Sequence, residues 1–170
     1  MAVVRRRSAV PKAPGYSRAD VEAVSNKFNE PQWLRDLRLS AWETYESLPM
    51  PSMEEEWRRT DYRHIRWDEA DTLVQPNGAT DSVVPAKNLA PLTGDKQGGL
   101  LVFVDGKVVR HEVADELTKR GVIFTDLATA VQQHTDLVRA NFMTKAVKPD
   151  DGKFSALHAA LWTYGVFVYV

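Results

Sequence analysis

The sequence predicts an α+β fold on three observations. Apolar residues recur at steps of three and four between Val21 and Leu48, two apolar runs flank Asp105-Gly106, and an uninterrupted apolar run closes the chain from Val166 to Val170. At 170 residues the chain is long enough for one domain with an appendage and can bury a sizeable core. Apolar residues make up 44% and charged ones 26%, ordinary globular values, and no apolar stretch is long enough to cross a bilayer. Twenty-two Lys and Arg against 23 Asp and Glu leave a net charge of -1, so no whole-molecule field gathers nucleic acid or anionic lipid. Polyanion binding would need a local patch, and neither a nucleic-acid nor a membrane partner is expected. The absence of cysteine excludes disulfides, a thiolate nucleophile and thiolate-held zinc or iron-sulfur clusters on these residues.

Residues 1–17 carry Arg5, Arg6, Arg7 and Lys12 with Pro11, Pro14 and Gly15, and read as a flexible basic tail. No apolar core follows the arginines, so a secretory signal is excluded and a cytoplasmic setting is expected. Ser17 and Asp20 have capping-box spacing, and Val21, Val24 and Phe28 follow at helical intervals. Pro31 then opens a longer helix whose stripe is Trp33, Leu34, Leu37, Ala41, Trp42, Tyr45 and Leu48. Leu48-Pro49-Met50-Pro51 ends it, because each proline lacks an amide donor and drives its predecessor out of helical space. Glu54 to Asp61 reads as a short charged helix or turn around Trp57. These segments form a helical region over 18–74, followed by a loop or linker over 75–99 rich in Pro and Gly.

Residues 100–165 read as a small α+β unit. Leu100–Val104 and Lys107–Val113 predict a β-hairpin, since Asp-Gly tolerates the positive φ that a two-residue turn requires. Gly121–Phe124 is a third short apolar run. Thr125 or Asp126 can cap the next helix, striped by Leu127, Ala130, Val131, His134, Val138 and Phe142, with a break expected near Thr135-Asp136. Asp151 is expected to cap a last helix bearing Phe154, Leu157, His158, Leu161 and Trp162, with Gly165 as its stop. Val166–Val170 reads as a strand without a turn signal or charge. Such an edge is an aggregation hazard unless covered, so the run predicts continuation into a larger sheet, pairing with another chain, or folding back onto the hairpin.

Chemistry-bearing constellations are sparse. His64, His111, His134 and His158 contain no pair at the spacing that sets two imidazoles around a metal on one helix face. His134 and His158 border apolar stripes and read as half-buried residues at the core edge. GxGxxG, Walker and GxSxG motifs are absent, which removes nucleotide cradles and serine-elbow hydrolases. Asp105-Gly106-Lys107 and Asp151-Gly152-Lys153 share the acid-x-lysine spacing of metal-dependent nucleases, but Asp-Gly is also what a turn or a helix start needs. No catalytic, cofactor-binding or metal-binding residue is nominated. Trp33, Leu37, Trp42, Trp57, Phe154, Leu157 and Trp162 are expected to act as packing anchors.

Four stretches carry a resemblance: EPQWLRDLRLSAWETYESLPMP (30–51), EEWRRTD (55–61), GVIFTDLATAV (121–131) and DGKFSALHAALWTYGVFVYV (151–170). In this order they resemble the amino-terminal part of the SufB/SufD family of iron-sulfur cluster assembly scaffolds, with LPMP and WRRTD closer to the SufD branch. The resemblance implies a non-enzymatic scaffold subunit of the SufBCD complex, partnered by SufB and SufC, and without a cofactor on these residues. It also implies a right-handed parallel β-helix after this region, with 166–170 as its first strand. The family's functional Cys and His positions and its SufC-docking segment would then lie beyond Val170. A generic protein-interaction module is the alternative; it would keep the aromatic anchors but would not co-purify with SufB and SufC. A nuclease is a third reading, requiring divalent metal at Asp105 or Asp151.

Overall fold

The computed structural model describes residues 15–51, 57, 59–62, 84–90, 98–104 and 107–170. Its elements, in chain order, are α1 (Arg18–Lys27), α2 (Gln32–Ser47), α3 (Ala86–Leu89), β1 (Gly99–Val104), β2 (Lys107–Val113), α4 (Asp115–Lys119), β3 (Ile123–Asp126), α5 (Leu127–Gln133), α6 (Thr135–Asn141), α7 (Lys153–Leu161) and β4 (Val166–Tyr169). The α+β expectation is met: α1, α2, α5, α6 and α7 pack together as a helical layer, and among the described residues four strands form two small antiparallel sheets. No helix among the described residues is long and apolar enough to cross a membrane.

The Asp20 carboxylate reaches back to the Ser17 amide at 2.7 Å and also accepts from the Ser17 hydroxyl, holding the first turn of α1. Tyr16, within the stretch read as a tail, packs against the core. At the other end of α1, Asn29 takes the left-handed conformation (φ 46°), so its amide reaches Asn26 and the next amide, from Glu30, reaches Ser25. This is a Schellman closure, and it reverses the chain within a few residues. Pro31 precedes the first residue of α2, which runs to Ser47 and stops before Pro49, as its sequence dictates.

Helix α2 is the central element. One side, through Ala41, Trp42 and Tyr45, meets Val21 and Val24 of α1 and Ala156, Ala159 and Ala160 of α7. Alanines at the α7 contact let the two helices approach closely. The other side, through Leu34, joins Leu127, Ala130 and Val131 of α5, Val138 of α6 and Trp162 in a second cluster. The core thus joins helices from both sides of the 75–99 stretch. Within that stretch, Ala86–Leu89 is a short helix and Gly99 already belongs to β1.

β1 and β2 pair antiparallel with a register shift at Val102/Phe103, and Val104 opposite Lys107 leaves a two-residue connection. Asp105 and Gly106, the expected turn, lie outside the described residues, as do Glu54–Glu56, Arg58 and His64. Gly121 (φ +85°) closes α4 and releases the chain into β3. The Asp126 carboxylate accepts from the Thr129 amide at 2.9 Å, so Asp126 is the cap of α5. The break after it falls at His134, between α5 and α6.

Three expectations are corrected at the carboxy-terminal end. Asp151 does not cap α7: Gly152 stands at that position, while the Asp151 carboxylate accepts from the Lys148 amide and closes a 3-10 turn at Pro149–Asp151. Gly165 does not stop α7, which ends at Leu161; it lies on the exit path, where its carbonyl accepts from the Leu127 amide at 2.9 Å. The final strand does not fold back onto the hairpin. β4 runs antiparallel to β3, with Phe124 opposite Val168 and Thr125 opposite Phe167. Buried Thr125 and the Phe167 ring share the face turned to the helices, which fixes the register.

Candidate functional site

Among the described residues, a charged constellation lies in the interior of the helical layer. Arg38 is fully buried in the middle of α2 and pairs bidentately with Glu30, Nε to Oε2 at 2.7 Å and Nη2 to Oε1 at 2.6 Å. The Glu30 side chain is itself 3% exposed. The Schellman closure after α1 places Glu30 there. The third guanidinium nitrogen, Nη1, donates to the Ala160 carbonyl near the end of α7 at 3.0 Å. The guanidinium carbon stands 4.4 Å from the centre of the Trp162 ring. A planar cation that donates a fork to a carboxylate and lies on an indole face suits arginine and not lysine.

A second constellation sits at the opposite end of α2. The Lys153 ammonium donates to the carbonyls of Tyr45 and Leu48 at 2.7 and 2.6 Å and lies 4.2 Å from the centre of the Tyr45 ring. It satisfies carbonyls that α2 leaves unpaired before the prolines. Burial pushes the Lys153 ammonium below its ordinary pKa, with the Glu46 carboxylate opposing. Burial also pushes the Tyr45 phenol up, aided by Tyr16 and Glu46, and its hydroxyl is buried without a hydrogen-bond partner. In the Asp151-Gly152-Lys153 motif both ends are thus committed to the fold, Asp151 to the Lys148 amide and Lys153 to α2.

The anchors occupy the expected roles to different degrees. Trp42 and Trp162 are buried, whereas Trp33, Leu37, Trp57, Phe154 and Leu157 are half-buried. Trp57, Tyr62 and Phe154 form an aromatic triangle with ring centres 5.2 to 5.9 Å apart, which ties the segment after α2 to α7. His134 is half-buried as expected. His158 is not: it is exposed, because it lies on the side of α7 turned away from α2. His111 is exposed with its Nε2 at 2.7 Å from the Phe124 carbonyl, bridging the hairpin to β3.

Open grooves mark the surface formed by the described residues. An apolar one of about 400 Å³ lies between α6, the 142–148 loop and β4, and another of about 390 Å³ lies along Tyr16, Leu157, Leu161 and Tyr164. A groove of about 470 Å³ carries His111, Asp126 and His134. Among the described residues, no group of three or more His, Asp or Glu side chains is placed to hold a metal ion. Sequence reasoning missed Arg38 and Glu30, and singled out Lys153 only for its acid-x-lysine spacing. Their signal was present for Arg38, a charge standing four residues after Leu34 and four before Trp42 on the apolar stripe.

Fold and constellations together define a helical packing module with a small sheet at its exit, in which the interior charges hold elements together. The family described as SufBD protein N-terminal region matches residues 20–170, and the chain belongs to this family. It is 38% identical over 154 residues to the iron-sulfur cluster assembly protein SufD of Bacillus subtilis, covering 88% of this chain and 34% of that protein. It is 30% identical over 169 residues to SufB of the same organism, covering 92% and 35%, and 31% identical over 163 residues to a SufBD family protein of Mycobacterium bovis, covering 92% and 19%. The chain spans about a third of the Bacillus relatives' length.

Proposed function

We propose that this chain is the amino-terminal part of a SufD-type scaffold subunit of the SUF iron-sulfur cluster assembly complex, with SufB and SufC as partners in the cytoplasm and no catalytic role of its own. The observation that carries this reading is the family match over residues 20–170, in relatives named for iron-sulfur cluster assembly. The SufD assignment is supported by LPMP and WRRTD and by identities of 38% to SufD against 30% to SufB. A supporting role is consistent with interior charges that are spent on holding helices together.

In this reading β4 opens the β-helix that the resemblance implies. β3 takes one edge of β4 antiparallel, so parallel stacking would use the other, which pairs with no strand among the described residues. In the isolated chain the same edge is available for self-association.

Co-expression tests the proposal. The tagged product of the gene encoding this chain is expected to recover SufB and SufC of the same organism through size exclusion. Recovery of the tagged protein alone, with both partners present and soluble in the lysate, overturns it. Magnesium or manganese titration separates the nuclease alternative, which requires binding heat that the scaffold reading does not.

A further inference from the structure

We propose that Arg38 is a junction residue that couples the helical layer to the β3–β4 sheet, so that the register and protection of the exit strand depend on one buried guanidinium. The inference concerns this chain's own interior and stands whether or not the scaffold reading holds.

The guanidinium makes three kinds of contact that lead to three places. Glu30 fixes it to the turn between α1 and α2. The Ala160 carbonyl fixes it to the end of α7. The Trp162 ring, against which it lies at 4.4 Å, is the first residue after α7. From Trp162 the path to the sheet is short and crowded. Its ring meets Phe142 edge-on with centres 5.3 Å apart, and Phe167 of β4 packs on the same cluster. Gly165, between them in sequence, bonds the Leu127 amide and is so close to Leu127 that an added Cβ would stand 3.1 Å from its Cδ2. Displacing Trp162 therefore disturbs the seat of Phe167 and the Gly165–Leu127 contact, both of which set where β4 begins.

The two ends of the ion pair are not equivalent in this scheme. Removing the Glu30 charge strands a buried cation but leaves Arg38 bonded to Ala160 and lying on Trp162. Removing the guanidinium empties the place under Trp162 and also strands a buried carboxylate. A bond that merely stabilised the protein would act on every element alike, since its loss would lower the free energy of global opening for all slowly exchanging amides.

Amide hydrogen exchange on the folded chain reads the difference, with the β1–β2 hairpin as internal control. Arg38→Met is expected to speed exchange of the β3–β4 ladder amides by at least about tenfold, while hairpin amides change by less than about twofold. Glu30→Gln is expected to loosen the turn after α1 and to change the β3–β4 ladder by no more than it changes the hairpin, within about twofold. The double variant is expected to keep the fast β3–β4 exchange, because the guanidinium is still absent. If Arg38→Met does not fold, Arg38→Lys makes the same comparison, keeping the charge and losing the fork. Uniform acceleration of all amides, or a β3–β4 ladder as protected as before, overturns the proposal.

Discussion

The Lys153 ammonium lies over the Tyr45 ring at 4.2 Å and donates to that same residue's carbonyl, so one cation closes both the face and the end of α2. This contact locks the first turn of α7 against the last turn of α2. Replacing Lys153 by Met keeps the stem and removes two charge-assisted bonds and the ring contact. The expected loss is about 1–2 kcal/mol in urea unfolding, moderated by the partial exposure of the site.

Tyr45 gives the opposite result at neutral pH. Its hydroxyl is buried without a partner, so Tyr45→Phe removes an unsatisfied polar group and is expected to be neutral or stabilising by up to about 1 kcal/mol. The pH dependence follows from the raised phenol pKa. Stability tied to the neutral phenol is fully present below the ordinary tyrosine value of about 10 and is lost as pH rises through the higher folded value. The lowered Lys153 pKa works the other way, its contribution rising with pH up to the ordinary lysine value of about 10.4. Urea midpoints taken from pH 8 to 11 should fall less steeply in Tyr45→Phe than in the parent.

Gly98 and Gly99 are adjacent yet respond differently to a methyl group. At Gly98 the added carbon meets the tip of the Leu117 side chain, which can swing aside. At Gly99 it meets the Phe124 ring at 2.7 Å and the Glu112 backbone oxygen at 3.0 Å, neither of which can yield without moving β2 or β3. Gly99→Ala is expected to cost about 1–3 kcal/mol, and Gly98→Ala clearly less, in paired denaturation curves. An equal cost at both positions would mean that hairpin and β3 are not held together as described.

Asp126 ends β3 and begins α5, and its carboxylate accepts from the Thr129 amide. Asp126→Ala is expected to lower stability by about 1 kcal/mol, and Asp126→Asn, which retains an acceptor oxygen, by much less. Thermal unfolding of the two variants checks the order.

The local order of elements was legible in the sequence because each rests on near neighbours: the stripe of α2, the prolines that end it, Asp126 before Leu127. What could not be read were contacts between distant residues. Nothing near Val166 names Ile123–Asp126 as its partner, since the match depends on Phe167 and Thr125 sharing the face toward the helices. The exposure of His158 likewise depends on which side of α7 the alanines turn to α2. Arg38 was visible as a charge on an apolar stripe, but its carboxylate partner became adjacent only through the left-handed turn at Asn29. Tertiary partners of a strand or a buried charge are set by the whole packing, while caps and breaks are set within a few residues.

Only one edge of β4 is taken by β3; the other pairs with no strand among the described residues. Val168 is 57% exposed and Val166 51%, and no charge interrupts Val166–Val170. An edge of this kind offers backbone donors and acceptors to an added strand together with apolar side chains to cover. Sedimentation equilibrium of the isolated chain is expected to show concentration-dependent association. Val168→Lys should abolish it, because a charged side chain resists burial at a strand-to-strand contact, while circular dichroism and β3–β4 exchange stay unchanged. Association that persists in Val168→Lys would place the contact elsewhere, and a parent chain that stays monomeric throughout would remove self-association from the properties of this edge.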